Sequence, residues 1–294
     1  MTMKIALPSK GLEEPTLEVL RAAKITVTRK SRRAVNARIS GAPGISEAAF
    51  IRPSLVPDLV AAGKVDIGIT GMDIIRERQG AEDFIILGKF SYSRASDVPT
   101  RCVLFTKANN PVNSVEELPQ DCEVATEYPA ETRMYLEAHG KRAKLPRFDG
   151  SVESLVTLGM YDFGVALTET GSTLIENGMK IIAEIFTSHT VLIARKDRLS
   201  ETQIEQAKFF VRLMAGVLAA RGKTFLFMNA RADAEEAIKR ILPSMKSPTI
   251  QKLGDPDYIS IATVVADEVI NELTYRLEQL GASDFVRLPP DCII

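Results

Sequence analysis

Short apolar runs alternate with stretches of helical spacing through the first two-thirds of the chain. Lys4–Leu7 reads as a strand and Ser9-Lys10-Gly11 as a turn. Leu12–Ala23 reads as a helix, with apolar residues at Leu12, Leu17, Val19, Leu20 and Ala23 and Pro15 near its first turn. Val56–Ala62 reads as a short helix ending at Gly63, Val65–Ile69 as a buried strand, and Thr70-Gly71 as the turn that follows. This repetition predicts α/β layers around a largely parallel sheet. A change comes near Ser96–Lys107. Arg101–Thr106 is a strand, Asn109-Asn110-Pro111 a turn and Ser114–Leu118 a short helix. A strand (Glu123–Thr126), a helix (Ala130–His139), a strand (Phe163–Leu167), a helix opening at Gly171–Asn177 and a strand (Val191–Ala194) follow. Two similar units, with the chain returning to the first, predict a bilobal, hinged molecule. The pattern assigns residues 1–95 and 181–220 to lobe I and 96–180 to lobe II.

The last part changes character. Thr202–Ala220 is a long amphipathic helix. After it come a strand (Thr224–Met228), a helix (Ala232–Ile241), strands at Thr249–Leu253 and Tyr258–Val265, a helix (Asp267–Leu280) and a strand (Phe285–Leu288). The β-α-β-β-α-β order predicts a ferredoxin-like domain at 221–294. Small domains of this type often bind effectors, but the order alone assigns no ligand.

Composition narrows the classes. A formal net charge of −1 over 294 residues gives no bulk attraction to nucleic acid or membrane, so neither is an expected partner. Cys102, Cys122 and Cys292 stand far apart and form no CxxC pair, which fits a reducing cytoplasm better than a disulfide framework or a cysteine zinc site. The start, MTMKIALPSKG, lacks the features of a signal peptide, and no apolar run approaches the roughly 20 residues that span a bilayer. The expectation is a cytoplasmic protein.

Several segments offer sites for anions. Thr168-Glu-Thr-Gly-Ser-Thr-Leu174 follows an apolar strand and opens a helix, so its N–H groups, hydroxyls and helix dipole suit a phosphate. An ordinary N-cap turn has the same sequence. Glu153, after Gly150-Ser151-Val152, is either a ribose or metal-water ligand or an exposed acid in a capping box. Asp66–Asp73 carries glycines that let a ligand approach the backbone or that serve a tight turn. Lys10 and Gly11 lie in the first strand-to-helix loop, where α/β sheets bind ligands. Arg52, Arg94 and Arg133 have guanidinium forks that match phosphate oxygens. His139 and His189 are the only histidines, and neither belongs to a catalytic triad, a HExxH motif or a His-Cys pair by spacing. GxxxxGK[ST] is absent too, which argues against hydrolase, zinc and P-loop chemistry.

Taken in order, these segments resemble the long-form ATP phosphoribosyltransferases. GSVESLVTLGMYDFGVALTETGSTLIENGM is similar to the family signature, and VDIGITGMD, VATEYPAETRMYLEAHG, the early SKG, LPSMKSPTIQKL and LEQLGASDFVRLPPD resemble other family segments. The resemblance implies a bilobal fold like the periplasmic binding proteins and a C-terminal ferredoxin-like, ACT-like regulatory domain. It implies transfer of the phosphoribosyl group of phosphoribosyl pyrophosphate to N1 of ATP, with release of pyrophosphate, as the first step of histidine biosynthesis. Glu169, Thr170, Gly171, Ser172, Thr173 and Leu174 would cradle the 5-phosphate, and Glu153 would stand near the ribose and Mg2+. Lys10, Arg52, Asp73 and Arg94 would line the cleft, with Lys10, Arg52 and Glu153 closest to the chemistry. Gly11, Thr70, Gly71 and Asp162 would be further substrate-side positions. Histidine would inhibit through Asn229 and Thr249, and the chain would form a homo-oligomer, a dimer or hexamer.

The chain departs from the family pattern at Leu12, where Arg is usual, and at Leu55 and Ala166, where Asp is usual. Ser93 stands for a glycine. The acid at Ala166 would hold ribose hydroxyls, so its return would be expected to raise activity. These losses favour an alternative: an impaired or altered paralogue that senses a nucleotide or small anion.

Overall fold

The computed structural model describes residues 2–78, 80–92, 99–243 and 247–294. The chain begins with β1 (Met3–Pro8), α1 (Glu13–Ala22), β2 (Thr26–Thr28), β3 (Asn36–Ser40), β4 (Ile45–Ile51), α2 (Val56–Ala61), β5 (Ile67–Gly71), α3 (Met72–Arg76) and β6 (Phe84–Phe90). It continues with β7 (Thr100–Lys107), β8 (Cys122–Thr126), α4 (Pro129–Ala138), β9 (Ala143–Lys144), α5 (Val152–Thr157), β10 (Phe163–Thr168), α6 (Ser172–Glu176) and β11 (Met179–Ser188). Next are β12 (Thr190–Arg195), α7 (Glu201–Ala220), β13 (Lys223–Arg231), α8 (Glu235–Ile241), β14 (Thr249–Lys252), β15 (Tyr258–Ala266), α9 (Ile270–Gln279) and β16 (Ser283–Leu288).

Three sheets result, ordered β2-β3-β4-β1-β5-β12-β6, β11-β7-β10-β8-β9 and β14-β15-β13-β16. The first two sheets make the bilobal arrangement that the resemblance implies. The chain leaves the first sheet after β6, and β12 brings it back. The expected largely parallel sheet is corrected to a mixed one. β1 runs parallel to β4 and β5, but β12, arriving from the second sheet, enters antiparallel between β5 and β6. The return comes at His189 rather than near residue 180, because β11 pairs with β7 along its length and so belongs to lobe II. Thr70 and Gly71 are strand rather than turn, held by pairing to Val191 and Thr190. Ser114–Leu118 contains only a 3-10 turn at Val115–Glu117.

Two compact units divide the chain, Met1–Val211 and Arg212–Ile294. The division falls inside α7. The end of that helix is tied to the C-terminal tail, where Ile293 N–H donates to the Gly216 carbonyl at 2.9 Å. In the second unit the sheet order is that of a ferredoxin-like domain. Its helices cover one face, where Leu226, Met228, Ile261, Ile238, Leu273 and Leu277 form the core.

Alternation along the strands sets the cores of both lobes. In lobe I, Ala6, Val191 and Ile193 pack with Val56 and Val60 of α2. Gly68 lets α2 lie this close, since a Cβ there would stand 2.4 Å from Val56 Cγ1 and 3.3 Å from Ala6 Cβ. In lobe II, Val103, Phe105 and Ala166 pack with Val152, Val156 and Leu174. Gly68→Ala is expected to lower stability by about 1–3 kcal/mol through overpacking. Urea unfolding checks this, and an unchanged midpoint would show that α2 has room to shift.

Candidate active site

The C-terminal ends of β1, β4 and β5 meet at one edge of the first sheet, where α/β folds place ligands. Ser9 N–H donates to the Ile51 carbonyl at 2.8 Å, and Thr70 Oγ1 donates to the Pro53 carbonyl at 2.8 Å. These bonds tie the Lys10 loop and the Arg52-Pro53 turn to the strand ends. Lys10 sits at φ 56, a left-handed conformation uncommon for a side-chain-bearing residue. From lobe II come Glu127 and Tyr128 after β8, Glu169 after β10, and the start of α5. Ser151 there is also left-handed, at φ 61, after Gly150 at φ 98.

Together these segments enclose a cleft of about 1240 Å³. Of the expected residues, Lys10, Gly11, Arg52, Gly71, Asp73, Glu153 and Glu169 line it. Its described lining includes six acids (Asp73, Glu77, Glu127, Asp149, Glu153, Glu169) and four bases (Lys10, Arg52, Arg78, Arg147), a formal excess of two negative charges. Among the described residues no three His, Cys, Asp or Glu side chains are grouped to hold a metal.

Other expected residues lie elsewhere. Thr70 is buried inside β5. Asp162 is exposed at the start of β10, at the opposite end of that strand from Thr168, so it is not a cleft residue. Arg133 is exposed on α4. Arg94 lies outside the described residues. Asn229 and Thr249 are in the second unit.

The turn after β10 is internally braced. Gly171 N–H donates to Thr168 Oγ1 at 2.9 Å, and the Thr170 and Ser172 hydroxyls are 2.9 Å apart. Gly171 has φ 82, which favours glycine. Thr170, Ser172 and Thr173 are exposed. The Leu174 side chain is a core anchor at 2% exposure, so any part it takes in binding is through its backbone.

A polar seam joins the lobes along α3, and the sequence reading missed it. Asp73, 7% exposed, accepts from the Ser188 hydroxyl at 2.6 Å through Oδ1 and from the Tyr128 hydroxyl at 3.2 Å through Oδ2. Burial, and next the Asp73 charge, hold the Tyr128 phenol above its usual range, so it stays protonated and donates. Arg76 pairs with buried Glu131 at 3.0 Å and lies over the Phe186 ring, 4.9 Å from its centroid. Glu77 accepts from Ala130 N–H at 2.8 Å and Glu131 N–H at 3.2 Å, so a carboxylate of one lobe caps a helix of the other. The YPAET segment carried the signal: Pro129 at the first helical position marks a helix start whose free N–H groups need an acceptor.

Comparison with known proteins agrees over nearly the whole chain. The family model for ATP phosphoribosyltransferase (HisG) matches residues 52–215, and the model for the HisG C-terminal domain matches residues 220–289. The ATP phosphoribosyltransferase of Methanocaldococcus jannaschii is 33% identical over 292 residues, covering 98% of this chain and 99% of the relative. ATP phosphoribosyltransferase 1 of Geobacter sulfurreducens is 31% identical, covering 99% of each. Among solved structures, a chain of the ATP phosphoribosyl transferase (HisG:HisZ) complex from Thermotoga maritima gives a TM-score of 0.57 at 26% identity, over 73% of this chain and 97% of that one.

Two substitutions test the geometry. Tyr128→Phe leaves a buried carboxylate oxygen short of a donor, and is expected to cost about 1.5–3 kcal/mol in denaturant unfolding. Unaltered stability would mean that the seam bond is not made. Ala166, 2% exposed, packs with Val103, Phe105, Val152 and Leu174, where a carboxylate would be buried among apolar side chains. Ala166→Asp is therefore expected to destabilise by on the order of 3–5 kcal/mol, rather than to raise activity. A variant with wild-type melting temperature and higher turnover would overturn that correction.

Proposed function

The chain belongs to the ATP phosphoribosyltransferase family, and from that membership we propose how the cleft divides its work. The reaction joins phosphoribosyl pyrophosphate to N1 of ATP and releases pyrophosphate, the first step of histidine biosynthesis. The observation that carries the assignment of roles is the convergence of Lys10 and Arg52 from one lobe with Glu153 and Glu169 from the other on one cleft.

Lys10 and Arg52 neutralise the diphosphate and the ATP phosphates. The turn from Glu169 to Thr173, with the backbone at Leu174, takes the 5-phosphate, and Glu153 takes the ribose side. Adenine N1 is unprotonated at neutral pH, so the site needs no strong base. Rate comes from aligning N1 with the anomeric carbon and from stabilising the departing polyanion. Asp73 acts differently from the expectation. Its two oxygens already accept from hydroxyls of Ser188 and Tyr128, so it positions the lobes.

A cleft whose described lining carries two excess negative charges favours polyphosphates that bring a cation. Glu153 would stand beside a magnesium ion brought by the phosphates, and that ion would supply the missing positive charge, in keeping with the lack of a three-ligand cluster among the described residues. In the second unit Asn229 and Thr249 share the sheet face opposite the helix-packed core. Asn229 Nδ2 donates to Asp284 Oδ2 at 3.1 Å while its buried Oδ1 has no partner among the described residues, which supports this face as the histidine site. Phe225, Phe227, Val286 and Leu288 lie on the same face by register and favour a homo-oligomer, a dimer or hexamer. No described helix is long and apolar enough to cross a membrane, and we place the enzyme in the cytoplasm. Nothing in the fold or the cleft adds support for the altered-paralogue alternative.

Steady-state turnover with ATP, phosphoribosyl pyrophosphate, magnesium and pyrophosphatase is expected, and histidine should suppress it. Thr173→Ala should raise KM for phosphoribosyl pyrophosphate about tenfold, the loss of one charge-assisted bond, and leave KM for ATP within twofold. Equal effects on both substrates would remove the phosphate role from the turn.

A further inference from the structure

We propose that His189 is a ligand-binding residue of the cleft, donating a ring N–H to a diphosphate oxygen of the bound substrate. The inference rests on the phosphoribosyl-transfer reading and adds to it a residue that neither spacing nor resemblance singled out.

His189 is the single residue between β11 in the second sheet and β12 in the first. Its backbone is fixed on every side. Its carbonyl accepts from Met72 N–H at 2.9 Å, the Ser188 hydroxyl donates to Asp73 at 2.6 Å, and the Thr190 hydroxyl donates to the Tyr92 carbonyl at 2.9 Å. The ring therefore hangs from a rigid point on the cleft wall. The residue is half-buried, yet its Nδ1 is shut off from solvent and has no hydrogen-bond partner among the described residues. Folded proteins keep few such atoms, and those they keep need a reason.

Here the reason is an absent partner. Rotation about the Cβ–Cγ bond is a soft, broad torsion, and a half-turn carries Nδ1 to the other side of the ring. A diphosphate brings only acceptors. The described lining has six carboxylates against four cationic side chains, so a further N–H donor there favours an anion. An imidazole N–H on a fixed backbone supplies one with little loss of side-chain freedom.

Calorimetric titration of the full chain with magnesium pyrophosphate, phosphoribosyl pyrophosphate and ATP, with steady-state kinetics alongside, compares wild type with His189→Ala, His189→Asn and His189→Gln. The alanine variant should bind pyrophosphate and phosphoribosyl pyrophosphate about tenfold more weakly at an unchanged melting temperature. Asparagine or glutamine, which places an amide N–H near one ring nitrogen, should recover most of that loss. Wild-type affinities in the alanine variant overturn the proposal, whether or not its melting temperature falls. If alanine does not fold, asparagine and glutamine variants that both bind as weakly as each other, tenfold below wild type in ATP as well as pyrophosphate, overturn it too. A wild type that neither binds these ligands nor turns over sinks the phosphoribosyl-transfer reading itself.

Discussion

The buried carboxylate of Asp73 is the constraint on which the arrangement of the two lobes depends. A charge taken out of water must be matched by donors, and Asp73 finds them in two hydroxyls from the other lobe, Ser188 at the end of β11 and Tyr128 at the start of α4. Space for the carboxylate comes from Gly71, where a Cβ would lie 2.2 Å from Oδ1. That oxygen cannot swing away without losing Ser188, so the glycine is required by the bond rather than by a turn. One short helix then carries Asp73 and Arg76, with Glu77 just beyond it, and all three act on α4 or its neighbours.

Fixing this joint fixes the cleft. Strand ends of the first sheet deliver Lys10 and Arg52, and strand ends of the second deliver Glu127 and Glu169. Their separation is set by packed sheets and by the seam, not by the side chains that meet the ligand. A reaction that needs alignment and charge compensation more than proton transfer suits such a site. The left-handed Lys10 and Ser151 are consistent with this: each occupies a costly backbone conformation in a segment that lines the cleft.

Much of this was legible in the sequence, and the exceptions have physical causes. Strands such as Phe163–Thr168 show as dense apolar runs because both faces are buried. β3 and β11 escaped notice because their exposed or half-buried positions interrupt the apolar run. The C-terminal order was readable because each element is amphipathic and separated by turn residues. Ligand-side residues at strand ends, such as Lys10 and Glu153, could be picked out by type and resemblance. The seam could not, because a Tyr or Ser that bonds across 55 or 115 residues looks like any other until the chain is folded. Asp162 misled for the reason that its strand has two ends and only one faces the cleft.

The departures from the family pattern take on a different meaning in three dimensions. Ala166 is not a vacancy where an acid has been lost. It is 2% exposed, and the side chains around it, Val103, Phe105, Val152, Val156 and Leu174, form a closed apolar cluster. A carboxylate at this position would be buried among apolar side chains. Leu55, 49% exposed in a 3-10 turn, removes a surface charge and leaves the fold of the Arg52-Pro53 turn to Thr70 Oγ1. Leu12 lines the cleft, but its carbonyl accepts from Thr16 Oγ1 at 2.7 Å, so its backbone still starts the helix behind the Lys10 loop. Each of these residues is locally consistent with its environment, so the fold accommodates all three, at the Lys10 loop, the Arg52-Pro53 turn and β10.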